Sequence, residues 1–437
     1  MKRNVVVACV LCATIVSMTS AQKRSLTLEE SLTIGLENSK VLHASQMKSE
    51  YAEARAREVS ASLYPSLKVQ ASYQRLSSVP EFKIPFPGIP TIFPYIADNY
   101  VARASFQQPL FTGWKLQGAA DNASFQAEAT RSDFVKDKGE LVFNIKSAYW
   151  NLFRSKEIKR LADENVAQIS AHLEDTENLA KQGLVTANDL LKVKVQLSNS
   201  RILQSDAASN VQLATIVLNS TVGLPLQTEI EIVSPLTPTA KEFGELGKLL
   251  ATAFVHRPEI LAMESRVKAS DAAVVSAVGG WFPQIFLTGN YYYSRPNQRI
   301  IPLQNEFNDT WDVGVSIQFD LWNSLSTVHQ TSQARSQLEQ NKDLFATLKD
   351  GVTLEVTQNY LNYQQAKERI RLSELSVLQA NESYRMASEK FKAGLATSSD
   401  LLDAEVALLQ SKLQLTQSLV DHEVSEARLT KSVGDLQ

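Results

Sequence analysis

The stretch "KQGLVTANDLL" at 181–191 returns as "KAGLATSSDLL" at 392–402, and over 181–197 against 392–408 nine of seventeen positions are identical. The echo belongs to a much longer one. At a constant offset of 211, Ser105 matches Ser316, Gln107 matches Gln318, Leu110 matches Leu321, Tyr149 matches Tyr360, Asn151 matches Asn362 and Gly183 matches Gly394. Upstream the offset is 218: Leu28 pairs with Leu246, Leu32 with Leu250, Ala44 with Ala262, Pro65 with Pro283 and Tyr73 with Tyr291. A period this long means a duplicated domain-sized unit rather than a solenoid of short repeats. The expected division is 22–223 for the first repeat, 224–245 for a linker and 246–437 for the second.

Proline placement separates the helical part of each unit from the rest. All 14 prolines lie outside 110–224 and 303–437, leaving two stretches of over a hundred residues that can be helical. In the second, Val356, Tyr363, Ile370, Val377, Tyr384 and Phe391 recur every seven residues. Their counterparts are Ile145, Leu152, Lys159, Val166, Leu173 and Ala180, with only Lys159 breaking the seam. Sustained heptads predict long helices packed as coiled coils. A helix over about 115–182 would run ~100 Å. Gly183 and Gly394 can take the left-handed conformation that ends such a helix. Thr186 and Thr397 follow three residues later, with Asp189 and Asp400 three beyond them, a pattern that resembles a capping box. Each echo therefore predicts a helical hairpin: stop, turn, cap and restart, with the restarted helices ending near 221 and 432.

The other part of each unit alternates. In 65–75, Leu67, Val69, Ala71 and Tyr73 oppose Lys68, Gln70, Ser72 and Gln74; segments 100–110, 283–294 and 311–321 behave alike. These are four period-2 strands of about ten residues, preceded in each unit by a helix, which for the first repeat is placed at about 39–62. Four strands separated by long helices cannot close a barrel alone, and an open edge in lipid leaves unpaired backbone groups. Their length, apolar faces and aromatic ends (Tyr73, Tyr100, Tyr291, Trp311) suit a transmembrane barrel shared between chains. Strand arithmetic allows two chains or three.

The first residues indicate export. Lys2 and Arg3, an apolar run from Val5 to Val16 and Thr19-Ser20-Ala21 read as a secretory signal peptide over 1–21. Cys9 and Cys12 both fall within it, which leaves the mature chain without disulfides or a thiolate metal site. A net charge of −3 from 44 basic and 47 acidic residues argues against a nucleic-acid partner. No enzyme motif stands out: there is no HExxH, GxSxG or phosphate loop. His43, His172, His256, His329 and His422 are scattered without metal spacing and read as polar surface residues. No cofactor is expected. A periplasmic coiled-coil scaffold is the alternative reading; it would use the heptads but not the strands.

The duplicated order, "QPLFTG" at 108–113, "LYP" and "WFP" before the first and third strands, and "GLVTANDLL" and "GLATSSDLL" at the turns resemble the TolC-type outer-membrane efflux proteins across 26–437. The resemblance implies a mixed α+β channel-tunnel: a homotrimer whose twelve strands form one outer-membrane barrel in lipid, above a twelve-helix periplasmic tunnel. It implies export with a periplasmic adaptor and an inner-membrane pump of the RND, ABC or MFS type. Loops 75–99 and 294–310 would face outside, turns 183–188 and 394–399 would form the periplasmic tip, and 224–250 would join an equatorial belt. The family's periplasmic aspartates match Asp400 and Asp403, which would stack as two acidic rings around a gate that also involves Asp189 and Phe391. Ala396 stands where the family has an arginine, and Phe391 where it has a tyrosine, so an Arg–Asp clamp lacks its arginine here.

Overall fold

A computed structural model describes residues 24–78, 95–233 and 241–435 of the chain. The expected signal peptide, most of the segment 75–99 and part of the expected linker lie outside the described residues. The element order is β1 (Arg24–Leu26), α1 (Leu28–Asn38), α2 (Lys40–Ala61), β2 (Ser66–Arg75), β3 (Asp98–Phe111), α3 (Lys115–Lys181), α4 (Ala187–Val222), β4 (Ile230–Ile232), α5 (Leu246–His256), α6 (Pro258–Val278), β5 (Gln284–Arg295), β6 (Asn308–Gln318), α7 (Ser326–Lys392) and α8 (Ser398–Ser432).

The long helices have the expected extent. α3 and α7 are each 67 residues, ~100 Å of continuous helix. Each starts abruptly from the strand region through a left-handed N-cap, Trp114 at φ 64° and Leu325 at φ 66°. The preceding residue is also left-handed, Gly113 at φ 63° and Ser324 at φ 55°. Gly113 is required for a second reason: a Cβ there would lie 2.6 Å from the Gly279 carbonyl and from Phe282 Cβ. The glycine of "QPLFTG" thus lets strand turn into helix against the helix-to-strand corner that precedes β5 in the other repeat. Just beyond, a Cβ on Gly118 would sit 2.6 Å from the Ser276 amide, so α3 and α6 pack almost backbone to backbone.

β2, β3, β5 and β6 form one antiparallel sheet in that order, with β2 and β6 at its edges. Register aligns the apolar residues on one face: Leu67 with Phe106, Val69 with Ala104, Tyr291 with Trp311, Leu287 with Val315 and Ile285 with Ile317. In the single chain this face is uncovered, with Val69 78%, Trp311 71% and Ile317 69% exposed. The opposite face is polar, and Arg103 and Asp312 both bond the Asn290 side chain at 2.7 Å while Arg299 reaches Asp312 at 2.6 Å. Aromatic clusters mark both ends. Tyr73, Tyr100, Phe307 and Tyr293 lie towards the loops, and Phe111, Trp114 and Phe282 lie at the helix junction.

Three details differ from the sequence expectation. The last strand occupies 308–318 rather than 311–321, because its final partner is Gln284. The residue before β5 is Pro283, which has no N–H to extend the ladder. The helical segment before β2 begins earlier than 39–62, and Ser39 divides it; Ser39 ends α1 and its hydroxyl caps α2 by accepting from the Leu42 amide. A parallel pairing of β1 with β4 was not anticipated.

The core lies at mid-length. Leu26, Ile145, Tyr149, Trp150, Leu152, Leu218, Val222 and Ile230 form one buried cluster, and the Tyr149 hydroxyl donates to the Leu26 carbonyl. Ala253, Ile260, Val352, Val356, Tyr363 and Leu429 form another. Of the heptad seam, Ile145, Leu152, Val356, Tyr363 and Phe391 are fully buried, whereas Val166, Leu173, Ile370, Val377 and Tyr384 are half-buried. Among the described residues no helix is long and apolar enough to cross a membrane.

Candidate functional site: the two helical tips and the sheet wall

Both repeated phrases fold as the sequence requires. α3 ends at Lys181, and Gly183, at φ 75°, lets the Leu184 amide reach back to the Leu179 carbonyl. α7 ends at Lys392, and Gly394, at φ 71°, does the same through Leu395 and Lys390. These are paired backbone bonds of the kind that close a helix C-terminus around a left-handed residue. The next helices open on reciprocal caps. Thr186 Oγ1 accepts from the Asp189 amide at 3.2 Å while Asp189 Oδ2 accepts from the Thr186 hydroxyl at 2.7 Å. Thr397 and Asp400 repeat both distances.

These bonds decide what two of the anticipated gate residues do locally. Hydrogen bonds from the threonine hydroxyl and then the threonine amide hold the Asp189 and Asp400 carboxyls below the usual aspartate range, with Lys192 adding attraction at Asp189. Asp400 is therefore a helix cap. Asp403, one turn on, is exposed. Its counterpart Lys192 reaches across to the other hairpin and donates to Ser399 Oγ at 3.0 Å. Phe391 does not project into open space; its side chain is buried and its ring meets that of His172 edge-on at 5.2 Å.

His172 was expected on the surface and is instead 4% exposed. Its Nδ1 lies 3.0 Å from Glu405 Oε2 and its Nε2 3.1 Å from Ser398 Oγ, so one imidazole on α3 holds both the start and the second turn of α8. Glu405 is itself 2% exposed. Sequence reasoning missed this group because its members stand 226 and 233 positions apart. The expectation also fails for His422, which is 2% exposed. The tip holds no cluster of three metal-competent donors. Among the described residues the one such group is His422, Glu423 and Glu426. It lies ~30 Å up α8 from Asp400.

Long paired helices that end in capped tips, beneath an antiparallel sheet apolar on one face and polar on the other, define an outer-membrane channel. Residues 33–224 and 249–435 match the family model described as outer membrane efflux protein, and the chain belongs to that family. It is 21% identical over 330 residues to the outer membrane efflux protein BepC of Brucella suis, covering 75% of this chain and 70% of BepC. It is 22% identical over 352 residues to the alkaline protease secretion protein AprF of Pseudomonas aeruginosa, covering 78% and 70%. In structure it is similar to the outer membrane protein VceC of Vibrio cholerae, with a TM-score of 0.80, 20% identity and coverage of 93% and 96% of the two chains. The fold is that of the channel-tunnels, mixed α and β and mostly helical. The protein is an outer-membrane transport channel that exports its cargo from the cell, and its family is not an enzyme family.

Proposed function

We propose that three copies of this chain form one channel-tunnel, each contributing four strands to a twelve-stranded barrel and its paired helices to a periplasmic tunnel. The observation that carries this reading is the sheet: among the described residues both edges, β2 and β6, are open, and the apolar face is bare. Lipid tolerates neither unpaired edge groups nor an unclosed sheet, and eight strands from two chains would only just fill with side chains. Twelve leave a lumen, and the Arg103–Asn290–Asp312–Arg299 network gives it a polar lining. The repeats 22–223 and 246–437, joined by an equatorial linker at 224–245, each supply two strands and a hairpin.

The hairpin tips at Gly183 and Gly394 form the periplasmic mouth and receive an adaptor, which couples the tunnel to an inner-membrane pump of the RND, ABC or MFS type. Cargo is a small molecule or a secreted polypeptide, in keeping with relatives named for efflux and for protease secretion. Asp403 lines the mouth, with Asp400 and Asp189 at its rim, and Phe391 acts by packing against His172.

The test uses the absence of cysteine after Cys12. Single cysteines are placed on β2 (Leu67, Val69) and paired with cysteines on β6 (Val313, Val315), and the protein is oxidised in membranes. A cross-linked ladder ending at the trimer supports the reading. A ladder that stops at the dimer, or no cross-link at any pairing, overturns it.

A further inference from the structure

On α8, at the level where α7 and the start of the second repeat pack together, three side chains converge without satisfying one another. His422 is 2% exposed and its Nδ1 has no hydrogen-bond partner among the described residues. The same holds for Glu423 Oε1 and Glu426 Oε2, both shielded from solvent. His422 Nδ1 and Glu423 Oε1 stand 3.6 Å apart, too far for a hydrogen bond. One donor atom from each of the three residues lies within 4.8 Å of the other two. The His422 ring is backed by Tyr363, centroid to centroid 5.2 Å, and the Tyr363 hydroxyl is tied to the Lys241 carbonyl at 2.7 Å.

Three buried unpaired polar atoms in one place are costly, since each forfeits hydration without a replacement. Lys241 and Lys146 act on the Glu426 carboxyl from nearby. The two lysines soften the local negative field but bond none of the three atoms. A divalent cation would satisfy all three at once.

We infer that His422, Glu423 and Glu426 form a binding site for a divalent transition cation, with zinc the best match. The donor set is one imidazole nitrogen and two carboxylate oxygens, which suits zinc and excludes the all-oxygen preference of magnesium and calcium. Spacing supports it: residues 422 and 426 are i and i+4 on one helix face, the separation at which two side chains share a ligand. Zinc bonds of ~2.1 Å put tetrahedral donors ~3.4 Å apart, so the glutamates must close in by about an ångström, within reach of their rotatable side chains. A fourth position is left for water. The site is distinct from the acidic tip, and it fixes α8 beside Tyr363 and the Lys241 strand of chain that leads into α5.

The full-length protein is extracted from membranes in detergent, treated with chelator, equilibrated with micromolar Zn²⁺ and analysed for metal. The expected result is one tightly held zinc per chain, lost in His422→Asn and in Glu426→Gln and retained in Asp400→Asn/Asp403→Asn. X-ray absorption at the zinc edge of the unsubstituted protein is expected to show imidazole and oxygen ligands, a readout independent of whether a variant folds. No zinc in the unsubstituted protein, zinc retained by His422→Asn, or an edge spectrum without imidazole overturns the assignment.

Discussion

The two helical tips share a backbone and differ in their charges. Their stops, left-handed glycines and reciprocal caps correspond, and the two threonine-hydroxyl bonds of each cap have the same lengths, 2.7 Å and 3.2 Å. Yet at the offset of 211, Lys192 faces Asp403 and Lys194 faces Glu405, so the basic residues of α4 become acidic in α8. In the first hairpin Lys194 makes a half-exposed ion pair with Glu177 at 3.1 Å. In the second, Glu405 is buried against His172 of the other repeat. Identical turns thus sit beside different contacts at equivalent positions: a solvated Lys–Glu pair within the first repeat, and a buried His–Glu contact across repeats.

The largest effect should come from breaking the buried pair. Leaving a buried hydrogen-bonding group without its partner typically costs about 1–3 kcal/mol, whereas an exposed pair is worth under ~1 kcal/mol. Glu405→Ala should therefore raise amide hydrogen exchange strongly in the first turns of α8 and around residue 172 of α3, while Lys194→Ala leaves the first tip nearly unchanged. Equal responses would mean that the two tips are held alike.

The glycines should behave symmetrically. A Cβ on Gly183 or Gly394 meets nothing within 4 Å, so alanine pays only for the left-handed backbone, about 1–2 kcal/mol. Gly183→Ala and Gly394→Ala should loosen their own tips to a similar degree, again read by local exchange. A clear difference would show that one tip can relax its turn and the other cannot.

The caps come next, at about 1 kcal/mol for Thr186→Ala or Thr397→Ala. They also carry a pH signature. Because the folded values of Asp189 and Asp400 lie below the unfolded ones, their stabilisation is present above about pH 4 and is lost as pH falls through the folded values. Exchange at both tips should rise on acidification below pH 4, and the threonine variants should flatten that rise.

What the sequence made legible follows from what local order can encode. The period of two revealed the four strands, the heptads revealed α3 and α7, and Gly-x-x-Thr-x-x-Asp revealed both turns. The charge reversal at Lys192 and Asp403 was also visible. Short or remote features were not. β1 and β4 are three residues each, too short for any period, and Ser39 divides the segment before β2 into two helices by a cap. His172 and Glu405 carry no signal of mutual contact, since only the packing of α3 against α8 brings them together. The burial of His422 is hidden for the same reason.

The smallest energy separates Asp400 from Asp403, and it bears most directly on transport. Asp400 spends its Oδ2 on the Thr397 amide and hydroxyl, at 2.8 Å and 2.7 Å, and so is turned back on its own helix. Asp403 is exposed and its role does not include capping. In the proposed trimer, three such carboxylates around the mouth would favour cations, and the effect fades over a Debye length of ~8 Å at physiological salt. In planar bilayers under a KCl gradient, Asp403→Asn should lower the cation preference about two- to threefold, a change of ~0.4–0.7 kcal/mol. Asp189→Asn should do less, because Lys192 stands one turn beyond it and already offsets its charge. A reversal potential unchanged by Asp403→Asn would remove the acidic ring from the second tip, and with it the transport meaning of the charge reversal.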